Sequence, residues 1–196
     1  QIAFDGNISL AEAGANIGTR VIRAISARLS AAGQLENMDR LRLERTEIVL
    51  ERDGKTAARA TAAGTYSLTS QDADLSASAQ AVLAPLAGAV PVPDFQADAG
   101  EASAEIVLKQ TAGTAALSAK ASVEDFAGRH ADYKFKGFGL SVAADAVIYT
   151  NGLVEIRNAA AGFAQGRQPC GQADAAGRFD LDKQSGQIEI KLAGVN

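Results

Sequence analysis

Apolar and polar residues alternate along most of this chain, and polar turns interrupt the alternation. In the stretch from Lys55 to Val82, Ala60, Ala62, Tyr66 and Leu68 share one parity. After Thr69-Ser70-Gln71-Asp72, residues Ala73, Leu75, Ala77 and Ala79 share one parity, opposite Asp74, Ser76, Ser78 and Gln80. A period of two sends successive side chains to opposite faces, so the stretch predicts a long β-hairpin with one apolar face and one polar face.

The same reading extends in both directions. Ile2 and Phe4 alternate up to Asp5-Gly6-Asn7, which predicts a hairpin turn before Ile8 and Leu10, and Ala11 to Gly18 reads as a small-residue connection. Thr19 to Gly33 allows two readings. A helix would start with Thr19 as its N-cap, stop at Gly33 and place Ile22, Ile25 and Leu29 on one side. A strand would put Ile25, Ala27, Leu29, Ala31 and Leu35 on one face, and this cleaner alternation predicts a strand from about Ile25. Leu41 and Leu43 fall out of phase with Ile48 and Leu50, which predicts a bulge or short turn near Arg45. Asp53-Gly54 is a turn. Ala84 to Gly100 holds Pro85, Pro91 and Pro93 and reads as a loop, because proline donates no ladder hydrogen bond.

Beyond that loop Ala102, Ala104, Ile106 and Leu108 alternate, then Ala115, Leu117, Ala119, Ala121 and Val123 after a turn at Thr111 to Gly113. Ala127-Gly128-Arg129 predicts a further turn. From Tyr133 to Ile148 one face carries Phe138, Leu140, Val142, Ala144, Ala146 and Ile148, and Asn151-Gly152 is the strongest hairpin signal in the sequence. The last hairpin joins Gln172–Leu181 to Gln187–Leu192.

An internal repeat accompanies this pattern. Ala175-Ala176-Gly177-Arg178-Phe179-Asp180-Leu181 matches Ala62-Ala63-Gly64-Thr65-Tyr66-Ser67-Leu68 at an offset of 113 residues. The same offset aligns Leu41-Arg42-Leu43 with Val154-Glu155-Ile156, and Leu29 with Val142. Order and spacing repeat although identity is low, as in a repeating architecture. The units predicted are a first β-repeat over 1–83, a proline-rich connection over 84–101 and a second β-repeat over 102–196.

Composition narrows the picture. Aromatic residues make up 5% and tryptophan is absent, while alanine supplies about a fifth of the chain. Each buried alanine removes little area from water, so a thin sheet with a smooth apolar face fits better than a thick core. Net charge is −4 and no basic run could neutralise phosphates, so nucleic acid is not an expected partner. Cys170 is the only cysteine, which leaves no intrachain disulfide. His130, the only histidine, sits beside a turn without histidine or cysteine partners for zinc. The carboxylates are scattered along the polar parity. These readings predict a protein that is not an enzyme and needs no cofactor or metal. Both ends run into strand-like patterns, which predicts a fragment of a longer protein.

The pattern resembles the AsmA-like family of bacterial envelope proteins, relatives of the bridge-like lipid transfer proteins. The residues that carry the likeness are Gly6-Asn7-Ile8-Ser9-Leu10, Leu41 to Arg45, the Ala63 to Leu68 hairpin with its twin at Gly177 to Leu181, and Ala127 to Phe135. The resemblance implies an all-β, elongated antiparallel meander forming a curved, groove-like sheet, with phospholipid acyl chains as the apolar guest. It implies the periplasm, and inner-membrane anchorage through a segment outside this chain. Candidate groove-lining residues are Ile25, Leu29, Tyr66, Leu68, Leu75, Ile106, Leu108, Leu117, Val123, Phe138, Leu140, Val142, Ile148, Phe179, Ile188 and Ile190. The alternative architecture is a β-sandwich or barrel whose apolar face packs on itself, as a structural module of a surface or secreted protein. A carbohydrate-binding sandwich is a third reading, disfavoured by the scarcity of aromatics.

Overall fold

The computed structural model describes residues 1–17, 20–89, 94–166 and 168–194. Sustained alternation gives β1 (Ile2–Ile17), β2 (Arg20–Glu36), β3 (Arg40–Arg52), β4 (Lys55–Ser67) and β5 (Ala73–Val82). A seven-residue helix, α1 (Leu83–Ala89), follows. Then come β6 (Phe95–Thr111), β7 (Thr114–His130), β8 (Tyr133–Ile148), β9 (Leu153–Gln165), β10 (Gln168–Asp180) and β11 (Ser185–Ala193). All but β5 and β11 run 13 to 17 residues, well beyond the usual five or six.

The strands pair antiparallel in strict sequence order in one 11-stranded sheet. β1 and β11 do not pair with each other, so the sheet is an open, curved meander. It is not a barrel, and among the described residues no second sheet makes a sandwich.

Several expected interruptions are absent. Asp5-Gly6-Asn7 is no turn: it lies inside β1 and pairs with Ala32, Ala31 and Ser30. Ile2, Phe4, Ile8 and Leu10 keep one parity straight through Gly6, which a reversal of the chain would not require. The small-residue stretch from Ala11 continues as strand to Ile17. Arg20–Glu36 is strand and not helix, while Gly18 and the proposed cap Thr19 lie outside the described residues. Ala127-Gly128-Arg129 belongs to β7, and the reversal comes at Ala131-Asp132.

Much of the expected loop over 84–101 is regular secondary structure. Its start belongs to α1, where Pro85 occupies the first turn and sacrifices no intrahelical donor. Its end, from Phe95, belongs to β6. Pro91 and Pro93 lie outside the described residues. α1 lies across one end of the sheet against β2 to β6, and Arg52 Nη1 donates to Pro85 O at 2.9 Å.

The 113-residue offset holds throughout the ladder. Leu29 pairs with Ile48 as Val142 pairs with Ala161. Leu41 pairs with Tyr66 as Val154 pairs with Phe179. The register shift at Leu43/Thr46, the slip expected near Arg45, recurs where Ile156 and Ala159 meet Gly177 and Ala175. Glu12 (φ 49°) and Asp125 (φ 48°) occupy equivalent bulges, where the extra residue takes the left-handed conformation. Leu68 N donates to Asp39 O at 2.8 Å, and Leu181 N to Gly152 O at 2.9 Å. β1–β5 therefore correspond to β7–β11 pair by pair, with β6 as the strand between.

Candidate apolar binding face

Residues paired across an antiparallel ladder share a face, so the pairings sort every strand position. One row crosses all eleven strands as Phe4, Gly33, Leu43, Gly64, Leu75, Leu108, Leu117, Ala146, Ile156, Gly177 and Ile188. Another, four positions along each strand or five where a bulge intervenes, runs Ile8, Leu29, Ile48, Ala60, Ala79, Ala104, Ala121, Val142, Ala161, Ala173 and Leu192. Neither row contains a polar side chain. The row beginning Gly6–Ala31 has Thr46 as its polar member, and the row beginning Ile2–Leu35 has Gln110. The row from Leu10 and Ala27 through Val123 and Leu140 to Phe163 is again apolar.

The opposite face is polar. Its rows include Asn7, Ser30, Glu47, Thr61, Ser78, Glu105 and Lys120. Ion pairs and hydroxyl contacts bind its strands together. Arg59 Nε lies 3.2 Å from Glu47, Thr61 and Ser78 hydroxyls meet at 2.8 Å, and those of Ser103 and Ser122 meet at 2.9 Å. Arg178 donates to Glu155 Oε1 at 2.7 Å, and the Tyr149 hydroxyl donates to Oε2 at 3.0 Å. Those bonds, the arginine's first, hold the Glu155 carboxyl below its ordinary range, and Glu155 in turn raises Arg178.

The burial pattern separates the two faces in an unexpected sense. No large side chain is fully buried among the described residues. The two best-covered larger aliphatics, Val49 and Val147 (5% exposed), stand on the polar face. Val49 lies between Arg28 and Arg59 in its row, whose hydrocarbon stems can cover it. On the apolar face, Ile8, Leu10, Ile48, Ile106, Leu140, Ile190 and Leu192 are all exposed, Ile190 at 65%. Nothing among the described residues covers that face except α1's contact at one end. Exposed apolar surface of this extent makes the face the candidate binding site, since large uncovered apolar patches on folded proteins are commonly interaction surfaces.

Of the sixteen candidate residues, thirteen lie in these five rows: Leu29, Tyr66, Leu75, Ile106, Leu108, Leu117, Val123, Leu140, Val142, Ile148, Phe179, Ile188 and Ile190. Ile25 and Phe138 continue the same parity beyond the bulges, paired with Ala13 and Phe126. Leu68 falls outside β4, in the exposed turn that follows it. A shallow hollow of about 300 Å³ on this face is lined by Ala79, Ala81, Ala102, Ala104, Val123 and Leu140, among others. Larger hollows of about 510 and 550 Å³ involve polar-face residues such as Arg59, Ser103, Glu105 and Lys120. Size alone therefore does not select the site; chemistry does.

Two parts of the apolar face escaped the sequence reading. Ile2, Phe4, Ile8 and Leu10 were set aside by the expected turn at Asp5-Gly6-Asn7, although their constant parity carried the signal. Phe95, Phe126 and Phe135 join Phe138 in a chain of ring contacts, with centroids 5.8, 5.8 and 5.5 Å apart. Bulges beside Asp125 and Gly137 shift their parity, so simple alternation does not reveal that they meet.

His130 and Cys170 are both exposed. Among the described residues no group of three or more His, Cys, Asp or Glu is placed to hold a metal ion, and no helix is long and apolar enough to cross a membrane. Comparison with family models, with curated proteins and with solved structures gives no match.

Proposed function

We propose that this chain is a non-catalytic lipid-binding segment that holds phospholipid acyl chains against the apolar face of its sheet. One observation carries the reading: apolar rows continue across all eleven strands and are left uncovered. The driving force is removal of apolar surface from water, roughly 25 cal/mol for each Å² covered. Alanine in the middle of the rows keeps the surface smooth, so a flexible hydrocarbon chain can lie across several strands without meeting a side-chain ridge. The likeness to AsmA-like envelope proteins supports the same reading. It adds a setting to the proposal: the periplasm, with membrane anchorage and transport partners supplied outside these residues. The alternative, a structural β-module with a self-packed face, finds no covering layer among the described residues.

The test is lipid extraction and native mass spectrometry of the purified protein. Phospholipid should co-purify, and Leu140→Asp should abolish its uptake with little loss of fold, because Leu140 is 37% exposed in the free sheet. Phe138→Asp should also lose lipid but unfold the β7–β8 end more readily, since it breaks the phenylalanine contacts. Absence of lipid from the parent protein, or unfolding by Leu140→Asp without selective loss of lipid, would end the proposal.

A further inference from the structure

We propose that one end of β6, β7 and β8 is a tongue that docks on a phospholipid bilayer and lays its aromatic side in the interfacial layer. The three strands run past their neighbours there. β6 pairs with β5 only from Glu101 onward, and β8 pairs with β9 only from Phe138 onward. β6 and β7 stay paired out to Phe95 and His130, and β7 and β8 out to His130 and Tyr133. Tyr133–Lys136 thus continue without a β9 partner for about 13 Å, at roughly 3.3 Å per residue. α1 packs beside β6 at the base, where Leu83 approaches Gly100.

The two sides of the tongue differ in chemistry. One row holds Phe95, His130 and Tyr133. The rings of Phe126, Phe135 and Phe138 continue it back toward Leu140 of the apolar face. Tyr133 is 73% exposed, the highest value among the described large hydrophobic side chains. The other side carries Gln96, Arg129 and Lys134 in one row, with Lys136 beyond. The three cations are exposed and enter no ion pair among the described residues. Asp94 and Asp132 sit at the apex, and Asp98 and Asp125 at the bulges of the base. Three cations against four acids nearly cancel, so apolar contact supplies most of the affinity and the cations add contacts to phosphate.

A bilayer interface takes this arrangement. Aromatic rings settle at headgroup level with the tyrosine hydroxyl kept wet, and lysine and arginine stems reach back to the phosphates. The choice of a bilayer as occupant rests on the acyl-chain reading of the apolar face, because Phe138, Leu140 and Val142 lead from the tongue into that face along β8.

The chain has no tryptophan, so Tyr133→Trp installs a reporter at the tip. Its emission should shift to the blue on vesicles of equal parts phosphatidylcholine and phosphatidylglycerol. Phe95→Asp in that background should weaken vesicle binding roughly tenfold or more, the range for one phenylalanine side chain left in water. Lys134→Glu with Lys136→Glu, at exposed positions outside the ring contacts, should weaken it roughly tenfold on those vesicles and much less on pure phosphatidylcholine. Three results would overturn the proposal. One is no blue shift on either vesicle. Another is a shift that the phenylalanine and lysine changes both leave intact, which places the contact elsewhere on the sheet. The third is a blue shift that grows with protein concentration in the absence of vesicles, which makes the tongue a protein contact. Lipid content of the same preparation, read by mass spectrometry, separates this proposal from the reading it rests on. Lipid held by a chain that fails to dock sinks the tongue alone. Docking by a chain that holds no lipid sinks the acyl-chain reading and keeps the tongue as a membrane contact.

Discussion

β1–β5 and β7–β11 share register, bulges and turn hydrogen bonds while differing at most side chains, and the differences are compensated in pairs. In the first unit the Phe4 ring lies over Gly33, where an added Cβ would sit 2.6 Å from its Cζ and closer still to the backbone carbonyl oxygen of Arg42. In the second unit the equivalent pair is Leu117 and Ala146: a smaller residue above, a larger one below. At the next corner Ser67 Oγ accepts from Ser70 N at 3.2 Å, and Asp180 Oδ1 accepts from Lys183 N at 2.9 Å. Some positions do not vary. A Cβ at Gly64 would lie 2.8 Å from Leu75 Cα, and one at Gly177 would lie 2.7 Å from Ile188 Cα, each also clashing with the preceding carbonyl oxygen. The backbone path of each unit is thus set by close strand approach and bulge placement, and the side chains above it are exchangeable in matched sets.

The glycines give the sharpest way to break this correspondence. Gly64→Ala and Gly177→Ala should each destabilise by about 2 kcal/mol or more, as overpacking against fixed backbone does. Gly64→Ala should be the worse of the two, because Gly64 also sits at φ 148°. Thermal or denaturant melts would show it, and a neutral Gly177→Ala would break the equivalence. A smaller effect is expected from a double-mutant cycle. Gly33→Ala should destabilise alone and be partly rescued by Phe4→Leu, which removes the clash with the ring but not the one with the Arg42 carbonyl, with a coupling of about 1 kcal/mol; purely additive effects would count against compensation.

The smallest effect concerns acid. The Thr69 hydrogen bonds hold Asp39 below the usual carboxylate range, and the Lys183 backbone N–H does the same for Asp180. A depressed folded-state pKa contributes stability above the unfolded value, and that contribution is lost as pH falls through the folded value. Stability should therefore decline below roughly pH 4. Asp39→Asn and Asp180→Asn should each flatten that decline slightly in denaturant titrations at stepped pH. A flattening in only one unit would show that the two corners are not electrostatic equivalents.

Where the alternation is unbroken, the sequence was a sound guide. Ile106, Leu108, Leu117 and Val142 were assigned to one face from parity alone, and pairing puts them there. Asp53-Gly54 and Asn151-Gly152 turn as expected, because positive φ at Asp53 (52°), Gly54 (72°) and Gly152 (76°) suits those residues. Errors arose where a local turn preference competed with long-range pairing. Asp5-Gly6-Asn7 and Ala127-Gly128-Arg129 have turn-like composition, yet each is held in a ladder by a neighbouring strand. Gly128 is needed for another reason, since a Cβ there would lie 3.2 Å from Ala97 Cα. The prolines drew 84–101 into a loop and masked Phe95, Ala97 and Ala99, whose alternation starts β6. The phenylalanine contacts could not be read at all, because bulges that single-chain periodicity does not place decide which rings meet.

The unclosed ladder also bears on how the molecule is measured. A barrel has a circumference fixed by its strand number, and a globule has a volume fixed by its length. Here each strand pairs only with its neighbours in sequence order, so extent is additive. Another 113 residues of the same grammar would lengthen the sheet and enlarge its oily side by a set increment without disturbing what came before, as marks extend a ruler.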